Sequence, residues 1–87
     1  MEEKKIGTVT HYYARIGVAL VAISEGSLRA GETIHIKGKT TDVTQPVESM
    51  ELEHQKTSLA EVGQTVGLKV QGPVRENDVV YTVAPNS

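Results

Sequence analysis

Cysteine, phenylalanine and tryptophan are all absent from this chain, and its only aromatic rings besides histidine are Tyr12, Tyr13 and Tyr81. Without cysteine there is no disulfide, no thiolate nucleophile and no zinc site with sulfur ligands. A reducing compartment fits best, and a cytoplasmic protein is expected. Without Phe or Trp, the interior must be filled by Val, Ile, Leu, Met and Ala. Several of these are β-branched and suit a pleated surface better than a helix. Long apolar runs are missing too. The longest, IGVALVAI at residues 16–23, is far short of the ~20 residues that cross a bilayer. The opening MEEKK does not lead into the apolar stretch of a signal peptide, so no membrane partner is expected. A strong charge of either sign is also lacking: nine Lys and Arg against eleven Asp and Glu leave a formal net charge of −2. Contact with nucleic acid would therefore need a local basic patch, because global charge supplies no long-range attraction to phosphates. At 87 residues the chain is one domain, of a size that buries only about 60% of the surface its unfolded form exposes.

What is present has a period of two. In TIHIKGK, Ile34 and Ile36 point one way while Thr33, His35, Lys37 and Lys39 point the other, as a half-buried strand requires. Met50 and Leu52 alternate with Ser49, Glu51 and Glu53; Val66, Leu68 and Val70 alternate with Gly67 and Lys69; Val79, Tyr81 and Val83 alternate with Val80 and Thr82. Helical spacing is confined to at most one turn around residues 58–61. Breakers punctuate the pattern at residues 25–27, 30–32, 37–42, 62–64 and 71–78. The spacing predicts an all-β fold: a small closed or nearly closed antiparallel β-barrel of about six or seven strands. Residues 6–83 are expected to form this single domain, with flexible tails at 1–5 and 84–87. Three segments echo one another: LRAGETIHI, AEVGQTVGL and VRENDVVYTV. In each, Gly31, Gly63 or Asn77 is followed by a polar residue and then by a strand. Together with Gly26 these are residue types that enter the left-handed conformation cheaply, which predicts structural turns at all four positions.

These residues carry a resemblance. IGTVTHYY, the G-x-L-x-x-G-E-x-I pattern at Gly26, Leu28, Gly31, Glu32 and Ile34, and the G-x-x-V-G-L pattern at Gly63, Val66, Gly67 and Leu68 resemble the β-barrel domain II of translational GTPases of the elongation factor Tu and initiation factor Two type. VTHYYARIGVALVAI and IHIKGKTTDVTQPVESMELEH are more closely similar to a stand-alone translation-factor-like protein and to the C-terminal barrel of collagenase-like peptidases. The resemblance implies a barrel of domain II type and a role beside ribosomal or transfer RNA, or beside a peptidase. It does not imply GTP hydrolysis, since no phosphate-cradling GxxxxGK(S/T) loop exists in the chain. Nor does it imply proteolysis, since the peptidase relatives keep their catalytic machinery in a separate domain.

No catalytic constellation appears. His11, His35 and His54 match no HExxH spacing, and no serine lies in a nucleophile elbow. Glu51, Glu53 and His54 lie close in sequence, but as strand neighbours Glu53 and His54 would face opposite sides. Neither a metal nor a cofactor is expected, and the chain is expected to be a non-catalytic binding module. It is expected to contact RNA or the translation machinery, and two surfaces are candidates for RNA binding. His35, Lys37 and Lys39 would project from one face about 6 to 7 Å apart. His11, Tyr13 and Arg15 would alternate on another strand, setting an aromatic ring among basic groups as RNA-binding barrels do. The alternative is protein docking or self-association through the apolar strand at residues 18–23. If Ala19, Val21 and Ile23 face the core, Val18, Leu20 and Ala22 face outward, or the reverse; Val18 and Leu20 are the expected contact residues.

Overall fold

A computed structural model describes residues 2–84. Ten strands follow one another: β1 (Glu2–Tyr13), β2 (Val18–Ile23), β3 (Ser27–Arg29), β4 (Thr33–Lys37), β5 (Asp42–Pro46), β6 (Met50–Leu52), β7 (Gln55–Thr57), β8 (Leu59–Glu61), β9 (Thr65–Lys69) and β10 (Val79–Ala84). Six have five or more residues and four are three-residue pieces. Residues 59–61, where a helical turn was the alternative, are strand and pair with β3. No helix among the described residues is long and apolar enough to cross a membrane.

The expected all-β antiparallel architecture holds. One sheet has the order β5-β4-β10-β1-β2-β9-β6-β7, and β3 pairs with β8 in a separate ribbon. Alternation places Ala19, Val21 and Ile23 of β2, Ile34 and Ile36 of β4, Val66 and Leu68 of β9 and Val80 of β10 in the interior. Leu28 and Ala60 of the ribbon join them, fully buried. A buried aliphatic side chain of this kind contributes on the order of 2 kcal/mol, so the small core rests on many such residues rather than on a few large rings.

The long strand β1 bends to serve two neighbours. Its register slips against β10 between Lys5 and Gly7, and against β2 between Val9 and His11. Each bulge adds an unpaired residue and increases local curvature. The first brings Gly7 so close to β2 that a β-carbon there would lie 2.0 Å from the Ala22 carbonyl oxygen. The second re-aims the chain so that His11 and Tyr13 face outward opposite Leu20 and Val18. Residues 2–5, expected as a flexible tail, are strand instead, with Glu2, Glu3, Lys4 and Lys5 opposite Ala84, Val83, Thr82 and Tyr81. Of the other expected tail, Ala84 ends β10, and residues 85–87 lie outside the described residues.

The two ends of the large sheet are not joined by a strand ladder among the described residues. The buried Gln45 of the edge strand β5 instead ties that edge to the end of β9 and the chain just beyond it. Its Nε2 donates to the Lys69 carbonyl at 2.7 Å, and its Oε1 accepts from the Gln71 N–H at 2.6 Å. A single amide side chain thus supplies the donor and acceptor that a neighbouring strand would have supplied.

Candidate docking face

The predicted corners share one hydrogen-bond pattern that explains the sequence echo. Glu32 N–H donates to the Arg29 carbonyl, and Glu32 Oε1 accepts from Arg29 N–H at 2.7 Å. Gln64 repeats this with Glu61, its Oε1 accepting at 2.9 Å. Asp78 repeats it with Arg75, its Oδ2 accepting at 2.8 Å. The residue before each acceptor has positive φ: Gly31 at 96°, Gly63 at 91° and Asn77 at 74°; Gly26 is likewise at 63°. The polar residue after each corner therefore closes the turn by bonding back three residues, a local alternative to the ladder. Glu32, Gln64 and Asp78 are turn-closing residues that the sequence displayed as a repeat without revealing their role.

The first expected basic row is partly neutralised. His35 sits mid-strand on the outer face with a side chain only 13% exposed, its Nδ1 2.7 Å from Glu3 Oε2 and its Nε2 2.5 Å from Asp42 Oδ1. These two contacts, Asp42 first and Glu3 second, raise its pKa above the ordinary 6.5 against the opposing effect of burial. Lys37 ends β4 opposite Asp42, and Lys39 lies beyond the strand in the turn that Gly38 N–H closes on the Thr41 carbonyl. The three residues do not form one free cationic row.

The second row is also incomplete. His11 and Tyr13 do share a face, their rings 4.4 Å apart and edge to face, and His11 Nδ1 lies 3.3 Å from Glu76 Oε2. Arg15 does not continue the alternation, because β1 ends at Tyr13 and the Ile16 and Gly17 N–H groups turn back onto its carbonyl. Glu53 and His54, expected as strand neighbours, are instead the two loop residues of the β6–β7 hairpin, with φ of 51° and 66°. Among the described residues no three of His, Asp and Glu form a group that could hold a metal ion.

An apolar cluster lies at the β1–β2 turn end of the sheet. Val18 and Leu20 face outward and are half buried, lying over Gly67 of β9, where an added β-carbon would meet Val18 Cγ1 and Leu20 Cδ2 at 3.5 Å. Beside them Tyr13 is 44% exposed and Ile16 is 61% exposed. A shallow groove of about 250 Å³ runs from Ile16 and Val18 past Gly67 to Ser49, Glu51 and Lys69. Ile16 was visible in sequence as the start of the longest apolar run. Its exposure was not, because only the β1–β2 turn lifts it off the sheet.

Comparison with known proteins agrees with one of the two expected resemblances. No protein-family model matches the chain. An uncharacterised protease of Methanocaldococcus jannaschii is 40% identical over 78 residues, covering 88% of this chain and 19% of that protein. A collagenase of Porphyromonas gingivalis is 38% identical over 77 residues, covering 87% and 21%. The chain spans about a fifth of the length of the curated relatives it matches. The C-terminal domain of a candidate U32 peptidase from Geobacillus thermoleovorans superposes with a TM-score of 0.82 at 24% identity, covering 88% of this chain and 96% of that domain. A second structure of that domain gives 0.83 at 22%, covering 91% of each. At those identities the structural likeness is one of fold. The expectation of a translation-factor, ribosomal or protein-biosynthesis role is overturned, because the similarity lies with proteases and collagenases. The chain is similar in sequence to a segment of these proteases and similar in fold to the C-terminal domain of a candidate U32 peptidase.

Proposed function

We propose that this chain is a non-catalytic accessory module of a peptidase-type protein, and that it docks onto a protein partner through the outer face of β1 and β2. The observation that carries this reading is the exposed cluster of Tyr13 and Ile16 beside half-buried Val18 and Leu20. Exposed apolar side chains gathered in one patch, with an aromatic ring and charged neighbours at the rim, are what protein interfaces use. The sequence similarity supplies the partner class: about four-fifths of each curated relative lies outside the similar segment, and that remainder is the surface such a module would meet.

The M. jannaschii protease produced without its similar segment provides the direct test. Titration of this chain against it should give saturable binding, and Ile16→Asp should weaken that binding at least tenfold. The same substitution should leave the urea midpoint of the isolated chain unchanged, because Ile16 is already mostly in water. If wild-type chain does not bind, or if Ile16→Asp binds equally well, the docking reading fails. Dimerisation of the chain through Ile16 would move the reading to self-association.

A further inference from the structure

The lower limb of β1 is held from one side only. Residues 2–5 pair with β10, while pairing with β2 begins at Gly7. β5 is likewise an edge strand, paired to β4 alone. His35 lies between these two margins, with one ring nitrogen on Glu3 of β1 and the other on Asp42 of β5. A neutral imidazole has one N–H and one bare nitrogen, so it can donate to only one of the two carboxylates and turns a lone pair toward the other. Only the imidazolium satisfies both contacts.

We propose that His35 is a pH-operated latch that ties the first residues of β1 and the β5 edge to the β4–β10 face, closed on both carboxylates when the ring is protonated and open toward β1 when it is neutral. This is independent of the docking face, which lies on β1 and β2 beyond the second bulge. The charged and titratable groups on the latch's side of the sheet are Glu3 and Lys5 of β1, Lys37 of β4, Asp42 of β5 and Tyr81 of β10. Lys5 stands opposite Tyr81, and Lys37 opposite Asp42. Among the described residues both carboxylates make their ion pairs with His35 rather than with either lysine. The Tyr81 ring, 6.3 Å away, closes the third side. The raised pKa of His35 has the direction this arrangement requires. The neutral ring keeps its one N–H on Asp42, the shorter contact, and turns a lone pair toward Glu3; the side-chain hydrogen bond that joins residues 2–5 to β4 among the described residues is then lost, leaving the limb to the backbone pairing with β10 and free to fray.

NMR on the intact chain tests the latch. The His35 ring should titrate above 6.5. Across that titration, the exchange protection factors of the residue 2–5 amides that bond to β10 should fall at least fivefold, while those of Val21 and Val66 in the core should not change. Glu3→Gln should lower the His35 midpoint, and His35→Gln should abolish the step in protection. A midpoint at or below 6.5, or equal protection of the limb on both sides of the titration, would overturn the proposal.

Discussion

Asp78 performs the same bond as Glu32 and Gln64 but is buried, and it also lies against Gly38, where a β-carbon would sit 1.9 Å from its Oδ1. Removing an acceptor from an exposed turn lets water satisfy the freed N–H, whereas the Asp78 bond is partly buried and removing its side chain also empties the space against Gly38. Glu32→Ala and Gln64→Ala should therefore each cost about 0.5–1.5 kcal/mol, and Asp78→Ala about 1.5–3 kcal/mol. Urea unfolding of the three variants gives the ranking, and an Asp78→Ala cost no larger than the other two would contradict it. The repeat was legible in the sequence because the bond is local, joining residues three apart. The burial of its third copy was not, because that depends on Gly38, which is distant along the chain.

At the scale of the strand and hairpin, the β6–β7 connection is the least suited to its own sequence. Leu52 and Gln55 are paired, so Glu53 and His54 form a two-residue loop with φ of 51° and 66°. Such loops favour Asn-Gly, and a left-handed L-residue costs roughly 1–2 kcal/mol. Glu53→Asn combined with His54→Gly should stabilise the chain by about 1–2 kcal/mol, read as a higher urea midpoint. A fall would mean that these side chains hold a contact of their own. The sequence suggested a strand running through both residues, since neither is a turn type. The positive φ values follow from the pairing of Leu52 with Gln55, which leaves two residues to reverse the chain.

At the scale of the whole molecule, the His35 bridge makes stability depend on pH in a defined sense. Its folded pKa is raised above 6.5, so the folded state binds the proton more tightly than the unfolded state does. The resulting stabilisation is complete below 6.5 and is lost as pH rises through the folded pKa. Unfolding free energy measured in urea at pH 6 and at pH 8.5 should decrease for the wild-type chain. His35→Gln should lose that part of the decrease. An equal decrease in the variant would assign the pH dependence to other groups.

The all-β class, the inward set of Ile34, Ile36, Val66 and Leu68, and the left-handed turns at Gly26, Gly31, Gly63 and Asn77 were legible in the sequence alone, whereas the outward face of β2 was not. Side-chain alternation and backbone freedom are properties of neighbouring residues. Only the tertiary structure decided that residues 2–5 form strand, that His35 is held between carboxylates of β1 and β5, that Arg15 leaves the row of His11 and Tyr13, and that Gln45 of β5 reaches the end of β9. Each of these depends on which segments meet across the sheet. Residues 3 and 35, or 45 and 69, become neighbours only when the core has folded the strands together.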